Sequence, residues 1–139
     1  MMIDSRRIED LFRNLDSYLS NLKVLSQYKK DELVDDGIKM GAAKYYLQVA
    51  IESCIDVANH LIANYGWRRP ESMADSFAVL AENKILQPDF LDTMQRMARF
   101  RNRLVHLYWE VDGETIFRIL QENLGDFERF QFEILKYLE

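Results

Sequence analysis

The chain has one cysteine, two histidines, two prolines and five glycines in 139 residues, and each scarcity closes off a class of protein. Cys54 cannot form an internal disulfide, and its place in an apolar helical stretch reads as a buried structural thiol, not a reactive one. Two histidines and one cysteine are a poor supply for a zinc site, and no Glu-x-x-His pair is present to build a di-iron centre in a helical bundle. Any catalysis is therefore expected to run without a metal, and no cofactor is expected. No apolar run is long enough to span a membrane, and the opening Met-Met-Ile-Asp-Ser-Arg-Arg turns polar at once, without the apolar stretch of a signal peptide. The expectation is a cytoplasmic protein without membrane contact.

What is present favours helix. Few prolines and glycines interrupt a chain rich in Leu, Ala, Glu, Lys, Arg, Gln and Met, and at 48% hydrophobic it can bury one core. One domain over 1–139 is expected. Ile8, Leu11, Phe12, Leu15, Tyr18, Leu19 and Leu22 recur at helical spacing after Asp4 or Ser5 as N-cap. A polar interval from Tyr28 to Asp36 has room for one extra turn. Asp35 or Asp36 then opens a long helix closed by Gly66, with apolar residues around much of its circumference. Its polar line is Glu52, Asp56 and His60, directed either to solvent or into a cleft. Trp67 to Pro70 reads as a connection, Glu71 to Asn83 as a short helix, and Pro88 as the first-turn proline of the next one. After Asp112-Gly113, apolar residues from Ile116 to Leu138 predict one last long helix. The fold class is all-α, an antiparallel four- to five-helix bundle, and bundles of this kind serve many functions.

A net charge of -5 argues against broad adhesion to nucleic acid, so a nucleic-acid substrate would need a local basic patch. One exists. Arg96, Arg99, Arg101 and Arg103 fall within eight residues and hold four of the eighteen basic groups. They lie in or just before the string Arg101-Asn102-Arg103-Leu104-Val105-His106-Leu107-Tyr108. Cleaving RNA without a metal requires groups that accept and donate protons and positive charge beside the transition state. His106 suits proton transfer near neutral pH. Arg101 suits the electrostatic role through its fork of donors, with Asn102 to orient it or touch the phosphate. An Arg some five residues before a His is weak by itself; Asn after the Arg and Tyr two after the His make the pattern stricter. The plain alternative is a satisfied core His106, a solvated arginine face and an ordinary half-buried Tyr108.

Five residues along a straight helix turn the chain about 140° beyond a full turn, so Arg101 and His106 do not share a face. His106 aligns with Arg99, Asn102 and Arg103, and Arg101 with Tyr108. Either the helix kinks or ends within the motif, or a two-fold dimer brings both edges to one composite cleft. The dimer is the favoured expectation.

The segment resembles the HEPN superfamily, whose signature is Arg, four to six residues, then His, and more narrowly its HepT toxins, which extend it to His-x-Tyr. The likeness spans nearly the whole chain, including Ala50 to Ile62, Asp75 to Leu86 and the aromatic-rich tail. It implies a homodimeric, metal-independent endoribonuclease toxin acting on mRNA or tRNA, not on DNA, with Arg101 and His106 catalytic and Arg99, Asn102 and Arg103 in support. It also implies a partner antitoxin of the MntA type, a minimal nucleotidyltransferase that places AMP on Tyr108. Added negative charge and bulk there would block the basic cleft. The family carries acidic residues on the long helix, which makes Glu52 and Asp56 candidates to hold Arg101 or His106, with His60 a weaker one. The competing class is a non-catalytic HEPN subunit that presents substrate or nucleotide to a nucleotidyltransferase.

Overall fold

A computed structural model describes residues 5–139, and seven α-helices and one 3-10 turn account for most of them. Helix α1 (Ser5–Leu25) starts at Ser5, while Asp4 lies outside the described residues. Its apolar positions face one way, and Leu15 and Leu22 are fully buried. Each such leucine contributes about 1.5–3 kcal/mol by leaving water. That face packs along α3 (Gly37–Tyr65), the 29-residue helix at the centre of the molecule. The extra turn in the polar interval is α2 (Lys30–Val34).

The ends of α3 follow the sequence reading. The Asp36 carboxylate accepts from the backbone N–H groups of Ile38 and Lys39, and Gly66 closes the helix at φ 68°, a left-handed conformation that glycine adopts without strain. Between them Ala43, Leu47, Ala50, Cys54, Val57, Ala58 and Leu61 are buried to within 1%. The Cys54 thiol is enclosed there, and burial raises its pKa far above the ordinary thiol range.

Helices α4 (Met73–Glu82) and α5 (Pro88–His106) pack on one another and on α3. Short links between packed neighbours yield the antiparallel bundle. The expected single last helix is instead two, α6 (Gly113–Glu122) and α7 (Leu124–Leu138), which separate at Asn123. The side chain of Asn123 donates to Asp126, and the break lets α6 pack on α2 and α3 while α7 reaches α1. Gly113 permits the first of these contacts: a Cβ there would fall 2.7 Å from Val34 Cγ1. Seven helices thus replace the four or five expected. The extra members are one short turn and one half of a divided helix.

Helix α5 is aligned from its start. Glu133 on α7, 7% exposed, accepts the Gln87 backbone N–H at 2.8 Å with one carboxylate oxygen and Arg129 Nε at 2.7 Å with the other. Arg129 in turn reaches Asp89 at 2.9 Å. Truncating a nearly buried carboxylate leaves both an amide and a guanidinium without their partner. Glu133→Ala is expected to destabilise the protein by about 2–4 kcal/mol in urea unfolding. A loss below about 1 kcal/mol would mean that α5 is seated by its apolar face alone.

Candidate functional site

Leu104 is the last buried residue of α5, and Val111 is the next one along the chain. Residues 105–110 are all exposed, so nothing on the core side rewards continuing the helix past His106. Leu107 leaves the helical region at φ −132°, ψ 42°, and Tyr108–Glu110 form a single 3-10 turn before Asp112 caps α6 by accepting from Thr115 N at 2.7 Å. Of the two solutions to the spacing problem, the helix therefore does end within the motif. It ends at His106, however, so Arg101 and His106 still belong to one continuous helix and project about 140° apart.

Arg101 faces α3 and α4. Its Nε donates to Glu52 Oε2 at 2.8 Å, Nη2 lies 2.7 Å from the same oxygen, and Nη1 meets Met73 Sδ at 3.6 Å and Asn102 Oδ1 at 3.2 Å. The side chains of Arg101 and Glu52 are 17% and 30% exposed, which makes this a sheltered pair. Gln48 Nε2 also donates to Glu52. The polar line of α3 thus divides: Glu52 turns into the site, and His60, about 12 Å further along the helix, packs with Asn64. Asp56 lies between them. Partial burial of its carboxyl raises its pKa above the usual carboxylate range; the charges of Arg7 and Arg101 oppose that rise, and Glu52 adds to it.

The other edge of α5 carries Arg99, Arg103 and His106 within one arc. Among the described residues, exposed His106 finds no hydrogen-bond or ion-pair partner, and neither do Arg99 and Arg103. Arg96 is tied to Asp92 one turn earlier. The imidazole is free to meet a substrate, whereas the Arg101 guanidinium is already held by a carboxylate.

Tyr108 does not project with Arg101, as helical spacing predicts, because the helix has ended before it. Its ring, 45% exposed, lies under Lys44 of α3, with Nζ 4.1 Å from the ring centroid. The same ammonium donates to the Tyr108 carbonyl at 3.2 Å. Lys44 is 8% exposed, and burial lowers its pKa from the ordinary lysine value, with Asp112 opposing. Trp109, 77% exposed, follows on the same turn.

Residues 9–134 match the family described as Ribonuclease HepT-like. The chain belongs to that family. It is 34% identical to the mRNA nuclease HepT of Shewanella oneidensis over 76% of this chain and 75% of that protein. It is 23% identical to the tRNA nuclease HepT of Aphanizomenon flos-aquae over 94% and 89% of the two chains. Its structure is similar to that of the tri-AMPylated Shewanella oneidensis HEPN toxin in complex with MNT antitoxin, with a TM-score of 0.87 at 27% identity over 97% and 99% of the two chains.

Within this HepT-like fold the residues singled out by sequence sort into three places. Arg101, Asn102 and Glu52 come together; Arg99, Arg103 and His106 share the opposite edge; Tyr108 stands apart on the 3-10 turn. Among the described residues, no group of three or more His, Cys, Asp or Glu side chains is gathered to hold a metal ion, and no helix is long and apolar enough to cross a membrane. Sequence reasoning missed Lys44, whose only signal was a lysine inside an otherwise apolar helical stretch. Lys44→Met removes both the ring contact and the carbonyl bond, worth together about 1–2 kcal/mol. Hydrogen exchange of the Glu110 and Val111 amides, which bond back to Leu107 and Tyr108, is expected to accelerate roughly 5- to 30-fold. Unchanged exchange would mean that Val111 alone anchors the turn.

Proposed function

We propose that this HepT-like ribonuclease is a toxin that cuts RNA without a metal in a cleft shared by two copies of the chain, and that a nucleotidyltransferase antitoxin silences it by AMPylating Tyr108. The observation that carries the reading is the split of α5: a fixed Arg101 on one edge and an unengaged His106 on the other. A two-fold axis beside α5 sets the Arg101 edge of one copy against the His106 edge of its partner. Arg101, oriented through Nε and Nη2 by Glu52, keeps donors for a non-bridging phosphate oxygen. His106 takes the proton of the 2′-hydroxyl, or gives one to the departing 5′-oxygen, as the 2′-oxygen closes on phosphorus and leaves a cyclic phosphate. Asn102, exposed and bonded to Arg101, supports that guanidinium; Arg99 and Arg103 supply charge along the strand. Asp56 has a lesser share through its field on Arg101. Residues 1–139 act as one domain, in the cytoplasm.

The partner reading rests on the similarity to a toxin that is tri-AMPylated and complexed with an MNT antitoxin. In AMP transfer the Tyr108 phenol oxygen would attack the α-phosphorus of ATP and pyrophosphate would leave. The exposed phenol beside small Gly41 gives a nucleotidyltransferase access, and each AMP adds a negative charge near His106.

Purified Arg101→Ala and His106→Ala proteins are each expected to lose at least about 100-fold in RNA cleavage. Mixed after unfolding and refolding together, the two inactive chains are expected to regain activity in the hybrid dimer, since one of its two clefts joins an intact Arg101 to the partner's intact His106. Full activity in either single variant removes the catalytic assignment, and a hybrid as dead as its parents removes the shared cleft. Co-expression with a MntA-type nucleotidyltransferase is expected to raise the mass of the wild-type chain by whole AMP units and to leave Tyr108→Phe unshifted. A mass gain that survives in Tyr108→Phe would place the modification on another residue.

A further inference from the structure

A groove of about 600 Å³ runs between α5 and α6 and is closed at one end by the start of α7. Its floor is apolar, built from Leu47 and Ile51 of α3 with Met97, Phe100, Ile119 and Phe127. Its rim is basic: Arg96, Arg99 and Arg103 come from α5 and Arg118 from α6, against one acidic residue, Asp126, which is already bonded to Asn123. In a chain of net charge -5 this is an uneven placement of cations. The contrast in pairing sharpens it. Arg68, Arg101 and Arg129 are each held by carboxylates, whereas Arg99, Arg103 and Arg118 find no hydrogen-bond or ion-pair partner among the described residues. Arg103 and Arg118 both feel Asp112, whose pKa is lowered first by its bonds to Thr115 and then by those two charges.

From this we infer that the α5–α6 groove is a subsite for single-stranded RNA, taking a base against the apolar floor and the adjoining phosphates on Arg99, Arg103 and Arg118. The inference rests on the ribonuclease reading of His106 and extends it by giving the strand a path. Arg99, Arg103 and His106 occupy one arc of α5, so a strand lying in the groove runs directly towards the imidazole. A flat π-face above Met97 and Phe100 with phosphates on free guanidinium groups is the chemistry of sequence-tolerant single-strand binding. A second copy of the chain is a poorer occupant. Two-fold contact centred on the groove, unlike the shared cleft proposed beside α5, would press this patch against itself and face four arginines with four, relieved only by Asp126. A polyanion meets no such repulsion.

The test uses a short 2′-O-methyl RNA strand of mixed sequence, which lacks the attacking hydroxyl, with binding followed by fluorescence anisotropy across a salt series. Arg118 is exposed and lies on a different helix from the catalytic pair, so Arg118→Ala isolates the groove. Affinity is expected to fall about 5- to 10-fold and the slope of log K against log salt to shrink by about 0.7, the value for neutralising one phosphate fewer on a single strand. The charge-matched control Arg13→Ala, on the exposed face of α1, is expected to bind as wild type. Binding of the methylated strand with these reductions, in a protein that leaves ordinary RNA uncut, would keep the groove and discard the catalytic reading. Cleavage of RNA by a protein whose Arg118→Ala variant binds and cuts undiminished would overturn the groove. So would conversion of a dimer to a monomer by Arg118→Ala in light scattering, which would make this face a contact between copies.

Discussion

One oxygen of Glu52 takes two donors of Arg101 and a third from Gln48, and this arrangement sets how α5 is rolled about its axis. Such a charge-assisted interaction, largely sheltered from water, contributes about 1.5–3 kcal/mol. The exposed Arg96–Asp92 and Arg13–Asp10 pairs each contribute at most about 1 kcal/mol. The sheltered pair therefore fixes the roll together with the buried stripe of Phe90, Met94, Ala98 and Leu104, and the rest of the basic segment must follow. With Arg101 pinned toward α3 and α4, helical geometry sends Arg99, Arg103 and His106 to the side facing α6. The division of the motif into a held cation and a free imidazole is a consequence of that roll.

Both functional edges depend on α3, which supplies the core and the polar anchors from one element. Its buried stripe through Leu47, Cys54 and Leu61 ties it to α1 and the bundle, while Lys44 and Glu52, about two turns apart, reach out to Tyr108 and Arg101. Burying a lysine is unfavourable unless its ammonium is bonded, and Lys44 has the Tyr108 carbonyl and ring for that purpose. The turn carrying Tyr108 is thus seated on the central helix of the fold. Tyr108 is exposed without being loose.

Features that depend on a few neighbouring residues were legible in the sequence. Asp36 and Gly66 bound α3, and Pro88 opens α5, because capping and φ preferences act within one turn. The break at Asn123 was not, since Leu120, Leu124 and Phe127 keep helical spacing straight through it, and only the packing of α6 on α2 reveals it. The motif behaved likewise. Its Arg101–His106 separation follows from residues per turn, but extending the same phase to Tyr108 failed because the helix stops where the core packing of Leu104 runs out. Glu52 stood out as one of three polar residues on a face. That it alone engages Arg101 directly is a tertiary fact.

On the proposed function, the end of α5 gives chemistry and control separate supports. Had the helix run on to Tyr108, the tyrosine would lie on the same edge as Arg101, and modifying it would have to displace a guanidinium already held by Glu52. Instead Leu107 breaks the phase, and Tyr108 is held by Lys44 on its own turn, two residues along the chain from the exposed His106. Charge added at the phenol oxygen can then extend over that end without disturbing Arg101, Glu52 or the core beneath them. A modification placed this way acts on access and electrostatics, leaving the fold and the roll of α5 as they were.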